Sequence, residues 1–331
     1  MRALVTGGAG FIGHHLIHHI LSRTDWDVVT LDRLDTSGTL SRLAEVLDIN
    51  PEWRERVTVV WHDLKAPLND HVCQSVGEVD YIFHLAAGSH VDRSIDNPME
   101  FVLDNVVGTT NMLDFARTYT KEQLKMFLYF STDEVFGTAP EGVFYKEDDR
   151  YRSGNPYSAS KAGAEELCIA YENTYGLPVV VTHTMNVFGL RQHPEKFIPL
   201  IIQRVRDGEK IYIHSNREKT KAGSRHYISA DDVADAVLFL VDRAKVGEKY
   251  NIVGKTETDN LELASIIADI MSGDLSYEMV DFHSSRPGHD LRYALCGEKM
   301  KNLGWEPPKS LRQRLEEVVN WSLENKRWLS K

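Results

Sequence analysis

Cysteine is scarce in this chain: Cys73, Cys168 and Cys296 are its only three in 331 residues. They are odd in number, far apart and without metal-ligand spacing, so a disulfide framework and a cysteine metal centre are both excluded, and a reducing compartment is expected. No apolar run approaches the roughly 18 residues of a membrane-spanning helix, and no basic-then-apolar leader precedes the first strand pattern. A cytoplasmic location is the resulting expectation. Positive charge is in deficit, with a formal net charge of -11. That removes any broad attraction for nucleic acid or an anionic membrane, so a bound phosphate would have to be held locally. Internal repeats and low-complexity tracts are also missing, which sets aside solenoid and disordered classes.

What is present is an ample core, 42% hydrophobic, arranged in alternating elements. Short β-rich runs at 2–6, 28–31, 57–61, 79–85, 126–131 and 178–184 are separated by helical stretches. Several, such as Tyr81 to Leu85 and Pro178 to Val181, are apolar on consecutive residues, as strands covered on both faces are. The pattern predicts an α/β fold with a doubly wound parallel sheet of the Rossmann type. Past Gly189 the chain turns to helices at 197–208, 261–272 and 309–327 between polar loops. We therefore expect residues 1–189, with about 228–253, to form a dinucleotide-binding domain, and 190–227 with 254–331 to form a smaller substrate lobe. The acidic start of Asp231-Asp232 suits a helix packed back on the first domain. Residues 137–156 read as a long loop that shapes the mouth of the site.

Residues 3 to 13 run from an apolar strand into Gly7, Gly10 and Gly13, followed by a helix periodic in Leu16, Ile17, Ile20 and Leu21. Glycines at this spacing permit a tight turn and close approach to a pyrophosphate at a helix N-terminus. Asp32 closes the next strand at the separation where an acid meets an adenosine ribose, which favours NAD over NADP. Arg33 beside it leaves a 2′-phosphate open.

The chemistry-bearing segments are Ser131 to Gly137 and Tyr157 to Lys161. Tyr157 and Lys161 lie four apart, so on a helix they share a face, and the lysine could lower the phenol's pKa. Thr132 would sit at a strand's carboxyl end, and Asp133 with Glu134 supplies an acid and a base. Two i, i+4 histidine pairs, His14/His18 and His15/His19, also have zinc-like spacing; without an intervening Glu, no metal is assigned to them.

These motifs resemble the nucleotide-sugar 4,6-dehydratases, within the extended short-chain dehydrogenase/reductases, almost end to end. The likeness runs through the glycine turn, His84-Leu85-Ala86-Ala87, Ser89 to Ser94, Asn105 to Thr109, Ser131 to Gly137, Tyr157 to Lys161, Pro194 to Pro199 and Arg286 to Asp290. It implies a hydro-lyase with tightly held, recycled NAD, bound by Gly7, Gly10, Phe11, Ile12, Gly13, Asp32, Asp63, Leu64, Leu85, Ala86, Ala87, Tyr157 and Lys161. Thr132, Asp133, Glu134, Tyr157 and Lys161 would be catalytic: oxidation at C4 makes C5–H acidic, Glu134 removes it, Asp133 protonates the departing C6 hydroxyl, and hydride returns to C6. Substrate contacts would come from Ser89, Asn186, Glu195, Lys196, Arg225, Asn260, Arg286 and His289, with dTDP-glucose or a UDP-sugar as substrate. A homodimer through 99–118 and 157–175 is implied by similarity. Gly88, Phe136, His226-Tyr227 and Lys210 to His214 depart from the family pattern and leave the nucleotide base open. A 4-epimerase or decarboxylase would use the same Tyr and Lys without a task for Asp133, and a non-catalytic dinucleotide sensor would need only the glycine turn.

Overall fold

The computed structural model describes residues 1–35, 37–120, 122–281 and 292–330. Seven strands form one parallel sheet: β1 (Arg2–Thr6), β2 (Asp27–Asp32), β3 (Val57–Trp61), β4 (Tyr81–His84), β5 (Met126–Thr132), β6 (Val179–Thr184) and β7 (Lys249–Ile252). Their order is β7-β6-β5-β4-β1-β2-β3. The sheet reverses direction of winding between β1 and β4, where a crevice opens at the strand carboxyl ends. Six of the strands fall on the six runs expected from apolar patterning; β7 was not foreseen, because Lys249-Tyr250-Asn251-Ile252 lacks a continuous apolar run.

Alternation within each strand divides the core. Ala3 and Val5 face α1 (Phe11–Arg23) and α6 (Ala230–Arg243) in one buried cluster. Leu4, Val29, Leu31 and Ile82 face the other way, against Met112 and Phe115 of α3 (Gly108–Tyr119) and Ala164 and Cys168 of α4 (Pro156–Tyr175). Both faces are thus apolar, as a sheet covered on both sides requires.

A separate apolar cluster unites Phe188, Ile198, Ile202, Ile213, Leu263, Ile267, Leu315 and Val319. It draws on α5 (Phe197–Asp207), α7 (Asn260–Ile270) and α8 (Leu311–Glu324). Met300 and Trp305 do not join it; they bury on the α6 side of the large sheet, where the Trp305 indole donates to Asp235 at 2.8 Å. Glu45 of α2 (Leu40–Ile49) links the two cores, accepting from Arg191, Arg327 and, at 2.9 Å, Trp328.

Of the loop expected at 137–156, residues 137–155 contain no helix or ladder strand, and Pro156 opens α4. It is pinned by Tyr145 N–H donating to the Ala294 carbonyl at 3.0 Å and Arg152 N–H donating to the Val135 carbonyl at 2.8 Å.

Candidate active site

At the crevice between β1 and β4, Gly7 adopts φ +70°, and a Cβ there would lie 3.0 Å from the Ala86 backbone. A Cβ on Gly13 would collide with the Gly7 carbonyl. The turn is therefore closed to side chains, leaving a backbone cradle at the N-terminus of α1 with Gly10, Phe11 and Ile12 at its rim. Thr6 fixes the facing wall: its hydroxyl accepts from Leu85 N–H and Ala86 N–H, each at 3.1 Å, and meets His84 Nδ1 at 2.8 Å. His84 is wholly buried and its pKa is driven down to about 3 by desolvation, reinforced by Lys161. This neutral ring also reaches Thr109 at 3.0 Å.

Asp32 ends β2 with one carboxylate oxygen accepting from Leu34 N–H at 2.8 Å and the other from Ala9 N–H at 3.1 Å. Burial raises its pKa, against those two bonds. Arg33, which sequence left open as a 2′-phosphate partner, is engaged elsewhere. Its guanidinium forks onto Asp104 at 2.5 and 3.0 Å, and its Nε donates to Asp35 at 2.6 Å. The cradle, the ribose-side acid and a guanidinium already taken by carboxylates fit NAD better than NADP. Asp63 and Leu64 follow β3, Asp63 lying 3.8 Å from the Arg33 guanidinium; Asp63 accepts from the Lys65 N–H at 3.0 Å, and the Leu64 carbonyl accepts from Asn111 at 2.6 Å.

The carboxyl end of β5 carries Thr132, and a single 3-10 turn, Asp133–Phe136, follows it. The Thr132 hydroxyl donates to Asp133 Oδ1 at 3.0 Å. Asp133 Oδ2 is buried with no partner among the described residues. Burial lifts the Asp133 pKa to about 6, although Arg225 and the Thr132 hydroxyl oppose the rise. Glu134 is held by Asn155, whose amide donates to Oε2 at 3.1 Å, and Tyr293 OH lies 3.5 Å from the same oxygen. Neighbouring carboxyls thus occupy different environments, the arrangement that separates an acid from a base.

Helix α4 starts with Pro156 at its first position and Asn155 and Ser158 forming a reciprocal capping box. That cap aims Tyr157 at the end of β5. The Tyr157 phenol is pushed up by burial and by the Glu134 carboxylate, while a hydrogen bond with Thr132 pulls it down. Lys161 follows one turn later on the same helix. Its ammonium donates to the Phe130 carbonyl at 2.6 Å and lies 4.3 Å from the centre of the Tyr129 ring, so it spends its charge on the strand. Burial lowers its pKa to about 8.

Arg225 lies on the strand Ser224–His226, stacks 4.6 Å over the Tyr293 ring and acts electrostatically on Asp133. Ser89 and Asn186 are exposed near the strand ends, and Glu195 and Lys196 precede α5. Asn260 Oδ1 accepts from Tyr227 OH at 2.6 Å. Arg286 and His289 lie outside the described residues. Gly88 is fixed by Asn105, which accepts from its N–H at 2.8 Å, and a Cβ there would come 3.1 Å from the Asp104 carboxylate. An acidic side chain at 88 would be driven against that charge. Phe136 is fully buried, 4.9 Å from the His183 ring centre. Asn155, Asp104 and Tyr293 were not singled out from sequence, and Asn105 entered only as the first residue of a motif that the resemblance quoted. The Asn155-Pro156 dipeptide is a legible cap signal, whereas the other three act through long-range contacts.

The histidines of α1 serve a different place. His15 Nδ1 and His19 Nε2 lie 3.0 and 3.4 Å from Asp231 at the start of α6, and Arg314 lies 3.8 Å from the same carboxylate. His18, His19 and Asp231 hold ligand-capable atoms within 4.8 Å of one another. No helix among the described residues is long and apolar enough to cross a membrane.

Comparison with known proteins follows the same lines as the geometry. Residues 4–318 match the family model described as GDP-mannose 4,6 dehydratase. The chain is 35% identical to the dTDP-glucose 4,6-dehydratase of Escherichia coli, over 99% of this chain and 94% of that protein. It is 41% identical to the low-salt glycan biosynthesis protein Agl12 of Haloferax volcanii, over 98% and 99%. A crystal structure of the dTDP-glucose 4,6-dehydratase DesIV from Streptomyces venezuelae, solved with NAD bound, superposes with a TM-score of 0.88 at 36% identity, covering 99% of this chain and 98% of that one. The chain belongs to the GDP-mannose 4,6 dehydratase family, the nucleotide-sugar dehydratases of the extended short-chain dehydrogenase/reductases.

Proposed function

We propose that this chain is an NAD-dependent 4,6-dehydratase of a nucleotide-diphosphate glucose, with dTDP-glucose preferred and a UDP-sugar as the other candidate. The observation that carries the reading is Asp133, buried with one unpartnered oxygen and a pKa lifted to about 6, directly beside Thr132 and Glu134. An epimerase has no task for such a group. When bound, NAD supplies a hydride acceptor and a positive charge.

The chain's own residues then divide the work. Thr132 and Tyr157 hold the C4 oxygen between two hydroxyls, and Tyr157 takes its proton. Glu134, oriented by Asn155, removes the proton at C5 and later returns it. Asp133 delivers a proton to the leaving C6 hydroxyl. Lys161 fixes the end of β5, through Phe130, at the right distance from Tyr157. Gly7, Gly10, Phe11, Ile12, Gly13, Asp32, Asp63, Leu64, Leu85, Ala86 and Ala87 form the cofactor side. Ser89 and Asn186 of the dinucleotide domain, with Glu195, Lys196, Arg225, Asn260, Arg286 and His289 of a lobe at 190–227 and 254–331, form the substrate side. The names of the E. coli and Streptomyces relatives support dTDP-glucose.

A homodimer is part of the proposal: Ile95, Met99, Val102, Tyr119 and Tyr175 leave large apolar side chains exposed on and beside the helices expected to pair. A cytoplasmic setting is consistent with three free cysteines. The test is incubation with dTDP-glucose, UDP-glucose and their N-acetyl analogues, reading the alkali-induced absorbance of a 4-keto-6-deoxy sugar. No keto product from any of them sinks the reading.

A further inference from the structure

One buried charged cluster takes no part in that chemistry. Helix α4 carries Tyr157, Lys161 and Glu165 at successive i, i+4 positions, so all three face β5. The Glu165 side chain has no exposure, and its carboxylate is surrounded. Ser131 Oγ donates to Oε2 at 2.8 Å, His183 Nε2 lies 3.2 Å from both oxygens, Lys249 Nζ lies 3.1 Å from Oε1, and Tyr151 OH donates to Oε1. His183 Nδ1 faces Asn251 Oδ1 at 3.0 Å. The Asn251 amide is fixed in that orientation because its Nδ2 donates to the Tyr145 and Cys296 carbonyls at 3.0 and 3.1 Å. His183, and with it Lys249 and Tyr151, therefore holds Glu165 from the β6–β7 side of the sheet.

On the other side, three consecutive residues of β5 are tied to α4. Tyr129 OH donates to the Lys161 carbonyl at 3.2 Å, Lys161 Nζ donates to the Phe130 carbonyl at 2.6 Å, and Ser131 Oγ donates to Glu165. The next residue is Thr132. An ionised, wholly buried carboxylate is costly unless every lone pair is used, and here its partners are those that set the strand end against the helix. Burial would raise the Glu165 pKa, yet His183 and Lys249 hold it down at about 2.

We propose that Glu165 is a positioning residue for the dehydration: through Ser131 it sets Thr132, Asp133 and Glu134 in register with Tyr157. It touches neither substrate nor cofactor, and its effect on turnover rests on the dehydratase reading above. A misplacement of the order of 1 Å can cost about a hundredfold in rate, so Glu165→Gln should lower kcat roughly tenfold to a hundredfold with KM within about twofold. Ser131→Ala should do the same, and the double variant should be no worse than the poorer single one, because both break one link.

The experiment compares NAD-loaded wild type, Glu165→Gln, Ser131→Ala, the double variant and Glu166→Gln, an exposed neighbour on the same helix, by steady-state kinetics and by amide exchange over residues 126–137. The expected result is a kcat loss confined to the first three variants, with faster exchange at the strand end, full NAD content and a melting transition that is lower in the Glu165→Gln variants but still cooperative. A kcat for Glu165→Gln within twofold of wild type, or multiplicative losses in the double variant, overturns the inference. Wild type that turns over no nucleotide sugar sinks the dehydratase reading alone; unchanged exchange in Glu165→Gln then overturns the positioning role on its own.

Discussion

Replacing Asp133 with Asn tests the site by stability and by activity at once. Burial moves this carboxyl from 3.8 to about 6, so the native state binds the proton more tightly than the unfolded chain. Stability is then lost as pH rises between roughly 4 and 6 and stays lost above. Each pKa unit corresponds to about 1.4 kcal/mol, giving a loss of about 3 kcal/mol at pH 8. Asparagine has the shape of the protonated acid and cannot ionise. Urea unfolding of both proteins at equal saturating NAD should show a stability gap near zero at pH 4, widening to about 3 kcal/mol in favour of Asp133→Asn at pH 8. With about 2.1 cal/mol/K of unfolding entropy per residue, the 331 residues give about 0.7 kcal/mol/K, so the Tm gap at pH 8 is about 4 °C. The same variant should lose about 10²- to 10⁴-fold in kcat while reduced nicotinamide still forms, because only water loss needs the acid. A gap independent of pH would refute the buried neutral acid, and a near wild-type kcat would refute its role.

Other outcomes follow from the same geometry. Tyr157→Phe should lose about 10²- to 10⁴-fold in kcat and show no reduced nicotinamide on mixing with substrate; accumulation of the reduced form would place proton removal elsewhere. Gly13→Ala forces a Cβ onto the Gly7 carbonyl, so purified protein should carry less NAD and melt lower; full cofactor content would contradict the cradle. Arg33→Ala should leave the preference for NAD over NADP unchanged, since Asp104 and Asp35 already hold the guanidinium. Asp32→Ala should weaken NAD binding and narrow that preference, as read by cofactor fluorescence titration.

Much of this protein is local in its sequence. Consecutive apolar residues specify strands buried on both faces, the Gly7-to-Gly13 spacing specifies a turn that excludes side chains, and Thr132-Asp133-Glu134 carries the chemistry in three adjacent positions. Those features survive reading in one dimension because each depends on neighbours within a strand or a helical turn. Strand β7 escaped because Asn251 and Lys249 interrupt its apolar run, their side chains being committed to His183 and Glu165.

Tertiary structure decided where the charges are spent. Sequence spacing puts Lys161 on the same helix face as Tyr157, but only the fold brings the Phe130 carbonyl, 31 residues away, to accept from its buried ammonium. Arg33 reads as a phosphate partner until Asp104, distant by 71 residues, takes its fork. The Asp133 pKa is likewise invisible in the sequence: adjacent carboxylates repel in any chain, yet only burial in the fold lifts Asp133, while Asn155 donates to Glu134 and gives the neighbouring carboxyl a different environment. The residue types and their order were written locally; their protonation and pairing were set by which segments the fold removes from water together.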